Sequence, residues 1–147
     1  MDSLSRQRFD LLRERRDDSE KRKLTNSYIK NLITCFNDYK EQWPFLKTIN
    51  GIEIGTFNLQ KYSPQGHFSA IHTERGSKAN MHRILAFMTY LNDVELGGET
   101  AFHHYGVNVK PQKGKTIIWP AEWTHAHSGG VVEEGSKYIV TGWIQFS

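Results

Sequence analysis

The sequence predicts a mainly β fold: an antiparallel jelly roll, or double-stranded β-helix of the cupin-like kind, with N-terminal helices packed on it. From Gly51 onward, short apolar segments are separated by Gly, Pro, Asn and Ser turns. Seven or eight such segments over about ninety-five residues are typical of a two-sheet jelly roll. The chain before Pro44 has helical periodicity instead. The candidate strands are residues 52–62, 68–74, 83–91, 107–110, 115–119, 124–128 and 136–146.

A helix is predicted over residues 27–41, because apolar residues recur there at i, i+3, i+4 and i+7. Either Thr25 or Asn26 can cap its first turn, and Pro44 enforces its end. We expect its apolar face to lie against the barrel. The residues of that face are Ile29, Leu32, Ile33 and Phe36.

Residues 3–23 are rich in charged, helix-forming residues and contain only a sparse apolar set. They predict a mostly solvated helix or arm. We therefore predict one domain, in which residues 1–50 form an N-terminal helical segment and residues 51–147 form the double-stranded β-helix core.

Composition and charge exclude several classes of protein. The chain has 147 residues, 37% of them hydrophobic, which suffices for one core but not for a second catalytic module. Its formal charge of +3 is dispersed among acidic residues, so no nucleic-acid partner is expected. Cys35 is the single cysteine, which excludes an intramolecular disulfide and a cysteine-based zinc site. With neither an apolar run of transmembrane length nor a signal-like start, the sequence predicts a cytoplasmic protein without a membrane partner.

Three residues suggest a metal centre, namely His72, Glu74 and His127. Residues i and i+2 of a strand project from one face, so the first two could reach one ion, with His127 arriving from a distant strand. Two imidazoles and one carboxylate are the ligand set of non-haem iron(II) oxygenases, which leave metal positions open for a co-substrate and O2. Each residue also has a plainer interpretation. A lone histidine is more often a core or surface residue, and Glu74 could pair with Arg75 or Lys78.

The last predicted strand places Lys137 on one face together with Ile139, Thr141 and Trp143. If this face points into the barrel, the lysine needs an anion, because burying an unpaired ammonium group costs several kcal/mol. A surface lysine at the start of the strand is the alternative.

These motifs resemble the prolyl 4-hydroxylase family of iron(II)- and 2-oxoglutarate-dependent dioxygenases. In that family the distal iron histidine is followed by a short Val/Gly hairpin and by a basic residue ten positions on, which is the offset between His127 and Lys137. The match is extended by Tyr62 before a Pro/Gly turn, by Tyr90 near a strand end and by Gly-Gly-Glu-Thr-Ala-Phe at 97–102. It covers nearly all of the chain after residue 51.

The resemblance implies Fe(II), 2-oxoglutarate as co-substrate and O2 as cofactors, with ascorbate as an accessory reductant. It implies that the three proposed metal ligands bind the iron and that Lys137 holds the far carboxylate of 2-oxoglutarate. Tyr90 would add a hydroxyl hydrogen bond to that carboxylate, and Tyr62 would line the same pocket.

Four further residues are candidates beside the centre or the substrate, namely Thr141 and Trp143 on the face of Lys137, together with His125 and Arg75. His125 precedes His127 by two positions and would share its strand face, but the offset to Lys137 favours His127 as the ligand. His125 would then lie beside the metal or the substrate, or would simply be a polar residue of the barrel. Arg75 opens a polar loop after the first ligand pair and could contact a substrate, although a plain solvated loop is equally consistent.

The implied reaction hydroxylates a C–H bond, of a prolyl residue in a peptide or protein or of a free amino acid or other small molecule, and releases succinate and carbon dioxide. A catalytically silent jelly-roll domain that binds a metal or ligand is the alternative.

One departure from the family matters, since the family pattern is His-x-Asp and this chain has His-x-Glu at residues 72–74. Glutamate is one methylene longer, although some enzymes of the wider superfamily use it.

Overall fold

The computed structural model of the protein describes residues 6–9 and 19–147. Within these residues the long helix, α1, is Ser19–Gln42, and a 3-10 helix, Pro44–Thr48, follows it. The predicted end before Pro44 is confirmed, because proline lacks the N–H that would continue α1 and suits the first turn of a new helix. None of the helices in the described residues combines the length and the apolar character needed to cross a membrane.

Helix α1 begins earlier than predicted. Residues 19–24 form its first turns, because they are mostly good helix formers. Thr25 and Asn26 therefore lie inside the helix and do not cap its start. Leu32 and Phe36 are buried on its apolar face, which packs against a sheet as expected.

The predicted helix over residues 3–23 is wrong at Arg6–Phe9, which form an edge strand, β1. This strand pairs antiparallel with residues 59–62. A sheet edge presents unpaired backbone groups, and pairing with them outweighs the weak helix preference of a short charged segment. Residues 19–23 are helical as the start of α1, and the rest of the predicted helix lies outside the described residues.

The strands after α1, together with β1, form two antiparallel sheets, which confirms the predicted mainly β jelly roll. They are β2 (Ile52–Tyr62), β3 (Phe68–His72), β4 (Arg83–Tyr90), β5 (Thr100–Phe102), β6 (Val107–Val109), β7 (Thr116–Pro120), β8 (His127–Gly129) and β9 (Lys137–Phe146). The larger sheet has the order β1-β2-β9-β4-β7, and the smaller sheet has the order β3-β8-β5-β6.

Three strands differ from the prediction. Strand β3 ends at His72 and does not reach residue 74. Strand β5 falls outside the prediction, because Gly-Gly-Glu-Thr reads as a turn. Residues 124–128 are divided, since Trp123–His125 forms a 3-10 turn closed by the His125 N–H bond to the carbonyl of Glu122, and only His127 onward pairs as a strand.

The larger sheet has α1 on one face and the smaller sheet on the other. On β9, Val140 and Ile144 belong to the hydrophobic cluster that α1 covers. The alternate residues Lys137, Ile139 and Trp143 line a cavity between the two sheets. The period-two alternation of β9 therefore separates the helix-covered core from the cavity wall.

Gly142 is required by the packing of the helix-covered core. A Cβ atom at this position would lie 2.5 Å from Cζ of Phe87 and 2.9 Å from Cβ of Phe57. Gly142→Ala is expected to lower the free energy of unfolding by about 1–3 kcal/mol, because buried side chains must move. Gly76→Ala is the matched control, since its nearest neighbour is Cγ2 of Thr73 at 3.5 Å. Urea denaturation compares the two variants, and equal unfolding midpoints would contradict the prediction.

Candidate metal centre and cofactor cavity

Three side chains meet in the wall of this cavity. His72 ends β3 and His127 begins the neighbouring β8, so the two histidines stand opposite each other in register. The Nε2 atom of each lies 3.4 Å from Oε1 of Glu74. One ligand atom from each of the three residues lies within 4.8 Å of the others, as in a metal site. The structure thus brings together the three residues predicted as a metal centre.

Glu74 reaches this point from a turn. The prediction that it shares a strand face with His72 is wrong, because β3 ends at His72. The chain is fixed on both sides of Glu74 by the carbonyl oxygen of Ala121, which accepts from Oγ1 of Thr73 at 2.7 Å and from the backbone N–H of Arg75 at 2.9 Å. These bonds hold the turn that carries the carboxylate to the histidines.

Backbone carbonyls orient both imidazoles. Nδ1 of His72 lies 2.9 Å from the carbonyl oxygen of Ala70, and Nδ1 of His127 lies 2.9 Å from that of His125. A carbonyl oxygen can only accept, so each Nδ1 carries a proton and Nε2 is the ring atom directed towards Glu74. A neutral imidazole held in this way is the usual form of a metal-binding histidine. The residues present therefore fit a divalent cation.

The carboxylate of Glu74 is kept ionised. Burial alone would raise its pKa, but contacts with His127, His72 and Trp143 together lower the pKa below its ordinary value. An ionised carboxylate beside two imidazole Nε2 atoms is a donor set for a hard or borderline cation such as Fe(II).

The second carboxylate oxygen of Glu74, Oε2, accepts a hydrogen bond from a tryptophan. The indole Nε1–H of Trp143 donates to Oε2 at 2.6 Å. The guanidinium of Arg83 lies 3.7 Å from the centroid of the Trp143 ring, and its Nη1 donates to the backbone carbonyl of Glu74 at 3.1 Å. Trp143, a candidate from the sequence, is thus in direct contact with a proposed ligand.

Two other candidates lie outside the cavity wall. Arg75 pairs with Glu122 at 2.6 Å and not with Glu74. His125 stands in the 3-10 turn, where its ring packs on Tyr105 with the centroids 5.0 Å apart, so the expectation that it shares a strand face with His127 is wrong. Its contribution to the site is the carbonyl oxygen that accepts from His127.

Lys137 lines the same cavity as the three proposed ligands. The cavity measures about 200 Å³ and is lined by Lys137, Tyr62 and Thr141 as well as by the three metal-site residues. The lysine is only 3% exposed, and its Nζ donates to the carbonyl oxygen of Gly98 at 3.0 Å and lies 4.7 Å from the Tyr62 ring centroid. Among the described residues, no carboxylate lies within ion-pair distance of this Nζ.

This ammonium group is poorly compensated. Burial lowers the pKa of Lys137 from 10.5 to about 8, and the charge of Glu99 opposes that shift. A buried cation without an ion pair is a candidate site for an anionic ligand.

A short chain of hydrogen bonds forms one wall of the cavity. The hydroxyl of Tyr62 donates to Oε1 of Gln60 at 2.8 Å, and Nε2 of Gln60 donates to Oγ1 of Thr141 at 3.1 Å. All three residues line the cavity. The network fixes the Tyr62 ring beside the lysine.

Tyr90 does not reach the cavity wall. It is fully buried, with its hydroxyl 2.6 Å from Oγ1 of Thr100 and 3.3 Å from the carbonyl oxygen of Val109. Thr100 itself lines the cavity. Burial raises the pKa of Tyr90 to about 12, so its hydroxyl stays protonated and keeps its hydrogen bond with Thr100.

Sequence reasoning missed Gln60, Thr100 and Arg83. Gln60 stands two positions before Tyr62 on β2, so strand alternation could have found it. Thr100 was missed because the Gly-Gly-Glu-Thr pattern predicts a turn there and not a strand. Arg83 reaches Trp143 through a long-range contact that no local pattern indicates.

The fold and the site together define a class: a jelly-roll protein with a candidate two-histidine, one-carboxylate metal centre of the non-haem iron type, beside a buried cation. Comparison with known proteins gives the family. Residues 57–145 match the 2OG-Fe(II) oxygenase superfamily. The chain therefore belongs to the 2OG-Fe(II) oxygenase superfamily, whose standard cofactors are Fe(II), 2-oxoglutarate and O2.

Within this superfamily the chain is similar to prolyl 4-hydroxylases. It is 32% identical to a probable prolyl 4-hydroxylase 7 of Arabidopsis thaliana, over 69% of this chain and 40% of that protein. It is 26% identical to the prolyl 4-hydroxylase subunit alpha-2 of Gallus gallus, over 67% of this chain and 20% of the relative. The chain thus spans less than half the length of these relatives.

Solved structures show the same fold. The viral collagen prolyl hydroxylase of Paramecium Bursaria Chlorella virus-1, in its 2OG complex, superposes with a TM-score of 0.70 at 20% identity, covering 97% of this chain and 80% of that chain. A Pseudomonas putida prolyl-4-hydroxylase gives 0.62 at 19% identity, covering 97% and 71%.

Proposed function

We propose that the protein is an Fe(II)- and 2-oxoglutarate-dependent dioxygenase in which His72, Glu74 and His127 hold the iron. The observation that carries this proposal is the convergence of the two Nε2 atoms on Oε1 of Glu74, each at 3.4 Å, with both Nδ1 atoms bonded to carbonyls. Family membership supports the choice of Fe(II) over other divalent cations.

In this proposal Lys137 binds the far carboxylate of 2-oxoglutarate. The ammonium is buried and lacks an ion pair among the described residues, and the Thr100 hydroxyl and the Tyr62 ring line the same cavity. The bound iron and 2-oxoglutarate supply the oxidising chemistry, in which decarboxylation to succinate and CO2 is coupled to insertion of one oxygen atom of O2 into a C–H bond. The protein orients the diacid and limits the access of water.

We propose a prolyl residue in a peptide or protein as the substrate, and a free amino acid as the alternative. The names of the relatives support this choice, as does a Trichoplax adhaerens prolyl hydroxylase solved with a hypoxia inducible factor peptide fragment, with a TM-score of 0.69 at 14% identity. The cavity of about 200 Å³ is small for a ligand pocket. The substrate would therefore lie at its mouth, with only the target carbon directed inward.

Turnover of 2-oxoglutarate tests this function. The protein with Fe(II), 2-oxoglutarate and O2 is expected to form succinate slowly, and faster when a substrate is present. NMR would follow succinate, and mass spectrometry would follow the gain of one oxygen in proline-containing peptides or in free proline. A folded, iron-loaded protein that forms no succinate would favour the binding-domain alternative.

The pKa of Lys137 predicts how co-substrate affinity depends on pH. A carboxylate binds the protonated lysine, so affinity is expected to be constant below pH 8, near the pKa of the free protein, and to fall about tenfold per pH unit above it. The fall ends at the pKa of the complex, which the bound carboxylate raises. Within the part of the chain that the structure describes, the charged or titratable groups found against the ammonium are Glu99 and Tyr62. Anaerobic titration of Mn(II)-loaded protein with 2-oxoglutarate would measure this, and constant affinity up to about pH 9.5 would contradict it.

A further inference from the structure

The carboxylate of Glu74 makes separate contacts through its two oxygens. Oε1 faces both histidines at 3.4 Å, whereas Oε2 accepts from the Trp143 indole at 2.6 Å. Rotating the carboxylate would break the indole bond. The contact with Trp143 therefore determines which oxygen, and which of its lone pairs, is presented to an ion between the histidines.

Arg83 in turn fixes the indole. Its guanidinium lies 3.7 Å from the centroid of the Trp143 ring, and Nη1 lies 3.7 Å from Oε2 of Glu74. The same Nη1 donates to the backbone carbonyl of Glu74 at 3.1 Å. One side chain thus contacts the ring, the carboxylate and the backbone of the proposed ligand.

The length of the Glu74 side chain matches this arrangement. The family pattern has aspartate at this position, and aspartate is shorter by one methylene, or about 1.5 Å. An aspartate on the same backbone would lose either the contacts of its carboxylate with the two histidines or the hydrogen bond from the indole. The backbone cannot readily advance, because Thr73 and Arg75 are both bonded to the Ala121 carbonyl.

We propose that Trp143 and Arg83 are positioning residues that make glutamate, in preference to aspartate, the matching metal ligand at position 74 of this chain. This inference rests on the proposed function, because it takes the three donors to hold a metal ion. Outer partners of metal ligands typically change metal affinity by about 10–100-fold when removed. The expected change is one of metal affinity, which can be measured without turnover.

Cobalt(II) binding to four proteins tests the proposal: the wild type, Glu74→Asp, Trp143→Phe and the double variant. The Glu74→Asp protein is expected to bind Co(II) about 10–100-fold more weakly than the wild type, and Trp143→Phe about tenfold more weakly with an altered visible Co(II) spectrum. In the Glu74→Asp background, Trp143→Phe is expected to weaken Co(II) binding less than about twofold, because aspartate cannot hold the indole bond and the metal ion at the same time. Aspartate binding as tightly as glutamate, or an equal Trp143→Phe effect in both backgrounds, would overturn the proposal.

Trp43→Phe is the matched control. Trp43 is 59% exposed just after α1, so the same substitution there is expected to leave Co(II) affinity and spectrum unchanged. A change equal to that of Trp143→Phe would show a nonspecific effect and would overturn the assignment.

The wild type offers a second measurement if Trp143→Phe does not fold. The chain has four tryptophans and therefore four indole N–H signals. The Trp143 signal, assigned by substituting the other three, is expected to stay shifted downfield and protected from exchange when Zn(II) saturates the site. A return to the unbonded position on Zn(II) binding would overturn the proposal.

The two levels of failure are distinguishable. A wild-type protein that binds no Co(II) would contradict the proposed metal site. Tight Co(II) binding that is insensitive to the Glu74 and Trp143 variants would overturn only the positioning role.

Discussion

Replacing Lys137 with methionine is expected to weaken 2-oxoglutarate binding by about 3 kcal/mol, or roughly a hundredfold, because it removes the cation proposed to hold the far carboxylate. Methionine has a similar length, so the change removes charge without opening a large cavity. The expected signature is a much higher KM for 2-oxoglutarate with Fe(II) affinity unchanged. Anaerobic titration measures the dissociation constant directly.

Lys61→Met is the matched control for this substitution. Lys61 does not line the cavity, and its Nζ lies 5.6 Å from the ring centroid of Tyr138. Its replacement is expected to leave 2-oxoglutarate affinity within about twofold, as is usual for a distant surface charge. Equal affinities in the wild type and Lys137→Met would show that the co-substrate binds elsewhere.

Lys137→Met is expected to weaken co-substrate binding but to stabilise the folded, ligand-free protein. Burial lowers the pKa of Lys137 from 10.5 to about 8, so at pH 7 the folded, ligand-free protein holds its charged form at a cost. The variant is expected to raise the free energy of unfolding of ligand-free protein by about 1–3 kcal/mol. In the wild type this cost shrinks as pH rises through the interval between those two values. A variant that lost both affinity and stability would indicate general damage to the cavity.

His127→Gln is expected to abolish turnover and to weaken metal binding by at least about a hundredfold, more than the loss of an outer partner typically costs. His127 is 4% exposed, and its Nε2 is one of only three metal-ligand atoms grouped in the described residues, so no nearby side chain can replace it. Calorimetric titration with Mn(II) or Co(II) would measure the loss.

His67→Gln is a close control. Its Nδ1 also lies near the carbonyl two residues earlier, that of Gln65 at 3.1 Å, but its Nε2 is not part of the metal-site group. Its metal affinity and turnover are expected to match the wild type. A His127→Gln protein that retained wild-type metal affinity would remove His127 from the proposed centre.

The features that follow from alternation and spacing could be predicted from the sequence. The two-residue period of β9 placed Lys137 and Trp143 on one strand face, which lines the cavity in the structure, and ligand chemistry grouped the two histidines with Glu74. Strand β2 was also found with its full extent, because its turn signals are clear at both ends.

Features that depend on contacts distant in sequence could not be predicted. The turn that carries Glu74 is set by the carbonyl of Ala121, and the orientation of its carboxylate by Trp143. Arg6–Phe9 form a strand only because an edge of β2 is available to pair with. Tyr90 was expected at the co-substrate, but Thr100 stands between it and the cavity. In each case a tertiary partner, not the local pattern, decides the outcome.

The most direct measurement of the central claim is anaerobic addition of Fe(II) and 2-oxoglutarate to the protein, followed by visible absorption. A co-substrate chelated to iron at His72, Glu74 and His127 is expected to give a charge-transfer band that saturates at one iron and one 2-oxoglutarate per chain. The band should be absent in His127→Gln and should require far more 2-oxoglutarate in Lys137→Met. A folded wild-type protein that binds both components yet shows no band would contradict the proposed iron site.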